Sequence, residues 1–513
     1  MAKPQFKFYL DTANDGAFNT EITAYVISAS WSLGFAAPFE LMARDNTASI
    51  VCNNTDRRFS PEFSSGAYYG LLTTYIACKI TSTYQSVTRT MWVGWIASIA
   101  PSQNTKGDRL CEIACDGWFE RAQRYESRIP LQIEATADEI IAVILDESDI
   151  LPPSVSGRWI LGRGLLGTTC ILGDITDYFS YDTGDTTFAY AGDWDTGTTV
   201  HGAVLSVVER EAGRFFQKRD GMLQFYRRLH FPANTTSVAS FSDANTEMDY
   251  VYGADVSNYV IVDYAPRIVG TAGSTLATLG SATALAASDD TTIEYAFTSS
   301  VSDATIGATA LITPVITTDF TANTLEDGSG TNVTSSVSAT ITFVGANSAS
   351  VTYTSVHASV IYLMPSSKLR GTPLTKFNAQ RFVASDDDSL ASFGLLSYQA
   401  AGVQDTYAAA VSLADYQLSL RKSAVGRVNS YTLAGYDTNR TVAALTRTIG
   451  DRITMHESQT QANGDWFIIS ETHTLDADYR VTYILEDAGT IIYWGLGNTG
   501  ASEIGTNTFL GPL

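Results

Sequence analysis

Histidine and cysteine are the side chains most often recruited for acid–base, nucleophilic and metal chemistry, and both are sparse here. The five histidines, His201, His230, His357, His456 and His473, are dispersed and fit no zinc spacing such as HExxH. Cys111 and Cys115 stand four residues apart, so on a strand both point to one face. That arrangement suits either a shared ligand or two buried apolar thiols, and the apolar reading is preferred. Five cysteines, an odd number, do not make a disulfide framework. No G-x-S-x-G elbow or Walker loop occurs, and "LGRGLLG" (Leu161 to Gly167) lacks the dinucleotide-binding form. The 54 acidic residues leave room for a paired-carboxylate hydrolase, but no spacing singles out a pair. The residues therefore predict no catalysis, cofactor or metal.

The elements that would position any site are mostly strands. Val, Ile, Thr, Tyr and Phe alternate with small polar residues, and turn clusters recur at short intervals. Three helices stand out. Thr136 with Glu139 forms a capping box before Ile140–Leu145, with Pro152 and Pro153 beyond. Val200, Val204, Val207 and Val208 make a helical stripe that stops at Gly213. Tyr407, Val411, Ala414 and Leu418 form a third stripe, with Asp405 as its expected cap. Asp220–Gly221, between two strand-like runs, is a hairpin signal. The surrounding Arg214, Lys218, Arg219, Arg227 and Arg228 read as a solvated face or as a positive patch for an acidic neighbour.

At 513 residues the chain calls for about two to four domains. A net charge of −22 is opposite to that of a protein that holds nucleic acid or anionic membrane by charge. The N-terminus shows no signal-peptide core, and no apolar run approaches a membrane span. Between Arg267 and Lys368 there is no Lys or Arg, and Ser, Thr, Ala and Gly dominate. That block is either a linker or an inserted β-sandwich; its period-two alternation favours the sandwich.

Four ordered segments carry a family resemblance. They are "EITAYVISASWSLG" (Glu21 to Gly34), "NNTDRRFSPE" with Tyr68–Tyr69 after it, "MWVGWIASI" (Met91 to Ile99) and "CEIACDGWFERAQR" from Cys111. Together they resemble the N-terminal domain of phage minor tail proteins of the baseplate-hub type. Gly213, Phe216, Asp220, Gly221, Leu223 and Phe225 match that family's middle region, and "DDDSLASFG" (Asp386 to Gly394) resembles the segment opening its second barrel. The resemblance implies assembly roles for Asp56, Arg57, Arg58, Phe59, Tyr68, Asp220, Gly221, Asp388, Ser389 and Gly394.

A repeat points the same way. The passage Ile76–Gly117 aligns with Ile449–Gly489, placing Ile80 with Ile453, Trp92 with Trp466 and Asp116 with Asp487. The expected fold is mainly β with a few helices: two tail-tube-like β-barrel domains, an α+β middle domain and an inserted β-sandwich. The boundaries are 1–120, 121–250, 251–375, 376–490 and a tail at 491–513. The function implied is a structural hub at the virion tail tip, made in the host cytoplasm. It would be a homotrimeric, pseudo-sixfold ring that contacts the tail tube, distal tail proteins and tip fibre or spike proteins. Genomic DNA would pass without specific binding, and the chain itself would not bind membrane. The alternative is a receptor- or carbohydrate-binding tail component, with Trp194 as the aromatic candidate.

Overall fold

The computed structural model describes residues 3–13, 16–103, 107–127, 129–148, 176, 178–194, 197–242, 247–253, 255–298, 304–344, 347–435, 438–488, 492–493 and 508–509. The Leu161–Gly167 motif, Pro152–Pro153, Gly489 and most of the 491–513 tail lie outside these residues. No helix among the described residues is long and apolar enough to cross a membrane.

The fold is mainly β, and one sheet of 13 strands dominates it. Its first half contains β1 (Gln5–Leu10), β2 (Val26–Gly34), β3 (Thr47–Asn53), β4 (Ala77–Tyr84), β5 (Val87–Gln103) and β6 (Arg109–Asp116). The two-residue strand Thr20–Glu21 extends it beside β1. Alternation sets the inward face: Ile50 and Cys52 of β3 and Cys111, Ile113 and Cys115 of β6 are all buried. Between the halves, β7 (Arg214–Gln217) and β8 (Leu223–Tyr226) form the expected hairpin. The second half contains β9 (Ala239–Ser242), β10 (Glu247–Tyr252), β11 (Gly426–Ala434), β12 (Arg452–His456), β13 (Gly464–Leu475) and β14 (Tyr479–Asp487).

Strand order repeats across the halves. The first runs β2-β3-β6-β5-β4-β1 and the second β10-β11-β14-β13-β12-β9, so each strand has its counterpart in chain order. One pairing differs in direction: β1 is antiparallel to β4, whereas β9 is parallel to β12. Two of the aligned residue pairs are cross-strand partners, with Ile80 opposite Trp92 and Ile453 opposite Trp466. The third anchor slips: Asp487 faces Trp466, but Asp116 faces Trp95.

Among the described residues neither half closes as a barrel of its own. The edge strand β2 leaves the first half to pair antiparallel with β13, Gly34 opposite Ser470 and Ala29 opposite Leu475. Backbone groups that would close the first barrel are thus used to join the halves in one open sheet.

Helix α1 (Ala137–Asp146) carries the expected capping box, with Thr136 N donating to Glu139 Oε2 at 2.9 Å. In α2 (Val200–Glu211) Thr199 is the cap, and Ala212 at φ +56° takes the left-handed turn expected near Gly213. Both helices pack into the core shared by the two sheet halves. Helix α3 (Asp387–Phe393) follows a strand of a separate three-stranded sheet, Tyr259–Tyr264 with Gln380–Ser385 and Ser397–Gln399. The "DDDSLASFG" segment therefore does not open the second half of the large sheet. Helix α4 (Tyr407–Arg421) is capped by Thr406, not Asp405, and buries Ala410, Leu413, Ala414, Gln417 and Arg421. Tyr407, expected on its buried stripe, is 56% exposed. Helix α5 (Thr438–Thr446) packs beneath β11 without a clear sequence signal.

The block without Lys or Arg is folded. Asp290–Ala296 and Val337–Val344 flank Ser348–Ser355 in a sheet, and Leu276, Leu285, Tyr295, Phe320, Val351 and Tyr353 fill a core of their own.

Candidate functional site

The "NNTDRRFSPE" loop leaves β3 through tight turns. Backbone N–H groups of Arg57, Ser60, Phe63, Gly66 and Tyr69 each donate to the carbonyl three residues before. Asn54 is buried and organises the entry: its Oδ1 accepts from Phe59 N at 2.9 Å and its Nδ2 donates to Ser60 Oγ at 3.0 Å. Phe59 is fully buried, with its ring 5.9 Å from Tyr25 and 5.4 Å from Tyr68. Arg58 lies 3.6 Å over the Tyr25 ring and donates from Nε to Asp56 Oδ2 at 2.7 Å. Hydrogen bonds from Arg58 hold the Asp56 carboxyl below its ordinary range. Arg57 takes no part in that pair; it sits at φ +60° with its guanidinium 5.1 Å from the Phe63 ring. The loop thus has an aromatic anchor, one ion pair and one strained arginine.

The hairpin residues do something the sequence did not suggest. Asp220 Oδ1 accepts from Met222 N at 3.1 Å, and Gly221 at φ +89° makes the turn. Arg219 beside them enters the second half of the sheet and pairs with buried Glu471 of β13, Nε to Oε1 at 2.8 Å. Its Nη1 also donates to Leu445 O at 2.8 Å. Burial alone would raise the Glu471 carboxyl, but Arg219 outweighs it and holds the group at about 2. Arg214 pairs with Glu486 of β14, and Arg228 donates to Glu211 O at 2.9 Å. Arg227 keeps an exposed pair with Asp185. For Arg214, Arg219 and Arg228 neither sequence reading, a solvated face or a patch for another subunit, holds. Arg214, Arg219 and Arg228 are internal ties, because buried guanidinium groups require partners within the fold.

Asp405, displaced from its expected capping role, is a second buried tie. It pairs with Arg210, lies 3.6 Å from Arg267 Nε, and accepts from Ala189 N at 3.0 Å. On α3, Asp386 is the cap and Asp388 sits in the first turn. Ser389 Oγ donates to Lys422 O at 2.7 Å, and Gly394 at φ +73° offers its carbonyl to Asn258 Nδ2 at 2.7 Å. The loop residues 56–68, the Asp220–Gly221 turn and α3 are thus three separate places.

The candidates for chemistry are also resolved. Cys52, Cys78, Cys111 and Cys115 are buried free thiols, and burial pushes Cys111 up to about 11. No metal-binding group of His, Cys, Asp and Glu occurs among the described residues. His201 is half-buried edge-on to Phe119, and His230 stacks on Tyr226 while bonding Asp182 at 2.7 Å. Trp194, the aromatic candidate, is half-buried against the main core.

No protein-family model matches this sequence, and no curated protein matches it. Several solved structures align over most of the chain. The prophage MuSo2 43 kDa tail protein from Shewanella oneidensis is 9% identical, covers 94% of this chain and 98% of its own, and has a TM-score of 0.47. A tail protein from Neisseria meningitidis MC58 is 9% identical over 95% and 97%, with a TM-score of 0.48. The prophage tail protein gp18 from Listeria monocytogenes EGD-e is 7% identical over 93% and 94%, with a TM-score of 0.40.

What the site can do follows from its own geometry. The ties Arg219–Glu471 and Arg214–Glu486 lock the middle hairpin to the second half of the sheet, while β2 locks the first half to it. The whole arrangement fixes the relative positions of the hairpin and the two sheet halves.

Proposed function

We propose that this chain is a structural protein of a phage-like tail, a hub at the distal end that joins the tail tube to the tip. Three copies close a ring with pseudo-sixfold character, in contact with tube, distal tail and fibre or spike proteins. One observation carries this reading: a six-strand order occurs twice in one chain, and the copies are joined edge to edge through β2 and β13. A chain holding two like units side by side matches a sixfold tube to a threefold tip. The ordered segments from Glu21 to Arg124 support the same reading by their resemblance to hub-type tail proteins.

The net charge of −22 fits a wall past which duplex DNA slides, since each lumen-facing Lys or Arg would add a phosphate contact. Acidic repulsion reaches about 8 Å at physiological salt. Solubility alone is the competing explanation of the charge.

Light scattering of the purified chain together with cryo-EM of the assembled particle tests the proposal. Three chains per ring are expected, with Asp and Glu outnumbering Lys and Arg on the channel wall. Six or twelve chains would overturn the stoichiometry, and a neutral or positive channel would overturn the role assigned to the charge.

A further inference from the structure

We propose that β10 of one copy adds as an antiparallel strand to the free edge of β5, Ser98–Gln103, in a second copy of this chain. The inference rests on the ring reading above and supplies its contact.

The β2–β13 junction is the template. Register defines what is equivalent. Across the first half one row runs Trp31, Ala48, Cys115, Ile96; across the second, Tyr250, Val428, Leu485, Ile468. Both rows end just before a bulge, between Ile96 and Ser98 in β5 and between Ile468 and Ser470 in β13. Past the bulge, β13 carries β2 on its edge from Ser470 to Leu475. The matching stretch of β5, Ser98–Gln103, pairs with β6 on one side and with no other strand among the described residues. The counterpart of β2 is β10, which ends the sheet and pairs only with β11 among those residues. One edge is filled within the chain; its twin is empty, and so is the twin of the strand that fills it.

The ends of the two strands agree. "WSLG" closes on Gly34 at φ +101°, and "YVYG" closes on Gly253 at φ +79°. A Cβ on Gly34 would fall 2.4 Å from Ile469 O and 2.9 Å from the Ser470 Cα, which is the close approach of β2 to β13. A Cβ on Gly253 would meet only Ala424, at 4.0 Å. Side chains tell the same story: Leu33 is 2% exposed, whereas its counterpart Tyr252 is 69% exposed.

Transferring the template register puts Tyr252 opposite Ile99, Val251 opposite Ala100 and Tyr250 opposite Pro101. Proline has no N–H, so this ladder has a donor fewer than the internal one, and the edge resists indiscriminate pairing. The stretch "SIAPSQ" carries no charge to repel Glu247 and Asp249. Main-chain pairing of this kind gives affinity without a deep pocket. Head-to-tail contacts of unlike surfaces generate a ring where the rotation between copies closes.

The experiment is Ala100→Cys with Val251→Cys in one chain, under mild oxidation. Directly opposed strand residues have the Cα spacing a disulfide accepts. The expected result is reducible cross-links between copies, absent from either single variant and from the Ala100→Cys, Tyr252→Cys control, whose second thiol points to the other face. If light scattering finds the oligomer but Ala100 and Val251 do not cross-link, strand addition is overturned while the ring survives. Cross-linking of the control instead would overturn the register. A chain that stays monomeric at all concentrations would overturn both readings.

Discussion

Trp31 of β2 lies flat on His473 of β13, ring centroids 5.0 Å apart and planes 12° apart, where the two halves of the sheet join. His473 is fully buried and its Nδ1 lies 2.8 Å from Tyr479 Oη, which itself donates to Ala444 O at 3.1 Å. Burial, with Arg219 adding to it, lowers the imidazole from 6.5 to about 4. The folded state thus takes up this proton later than the unfolded chain does. Its stabilising contribution is full above pH 6.5 and is lost as pH falls towards 4. Up to about 3 kcal/mol disappears over that window, at 1.36 kcal/mol per unit. Urea titrations at pH 7 and pH 5 should show the loss, and His473→Gln should flatten it. Equal slopes in both proteins would refute the assignment.

Trp31→Ala removes the same stack and leaves a hole in the junction. About 3–5 kcal/mol should be lost, the range for large aromatic deletions. Thermal denaturation is the check; a loss within 0.5 kcal/mol, the size of a surface change, would mean the junction does not depend on the ring.

In the "NNTDRRFSPE" loop the three central residues should behave differently. Phe59→Ala should cost about 3–5 kcal/mol, because the ring is fully buried. Arg58→Ala should cost about 1 kcal/mol, as its ion pair with Asp56 is partly solvated. Arg57→Gly should be neutral or stabilising by about 1 kcal/mol, since it relieves a φ of +60°. A melting series of the three variants reads out the order, and Arg57→Gly as the worst would contradict it.

Arg219→Met leaves Glu471 buried without its partner and should cost about 3–5 kcal/mol. Glu471→Gln should be comparably damaging. The double variant Arg219→Met, Glu471→Met should lose less than the sum of the singles. A double-mutant cycle measures the coupling, and strict additivity would show that the pair does not act as a unit.

At the start of α4 two adjacent residues have separable roles. Thr406→Ala removes the cap to Ala409 N and should cost about 1 kcal/mol. Asp405→Asn strips charge from between Arg210 and Arg267 and should cost about 3 kcal/mol or more. If the two losses come out reversed, the capping assignment belongs to Asp405 after all.

Much of this architecture was legible in the residues. Alternation marked the strands, Thr136 with Glu139 marked a helix start, and the pairing of Ile80 with Trp92 and Ile453 with Trp466 appeared as a faint repeat. The repeat was only half visible, because β9 and β10 are separated from β11 by the long stretch that carries the Lys- and Arg-free block. The basic hairpin was misread for a physical reason. Sequence shows that Arg214, Arg219 and Arg228 are charged, but not that Glu486 and Glu471 fold over the first two from far along the chain, nor that the end of the preceding helix turns the Glu211 carbonyl onto the third. Asp405 was misread by one residue, since Asp and Thr both cap helices and only the fold brings Arg210 and Arg267 to the first.

The block from Ile268 to Ser367 contains no Lys or Arg, and its neighbour Arg267 is itself tied to Asp193 and Asp405 with only 11% of its side chain exposed. Trypsin therefore has no bond to cut inside it and poor access at its leading boundary. The folded protein can be digested around this unit while the unit stays whole, a single fragment ending at Lys368 or beyond.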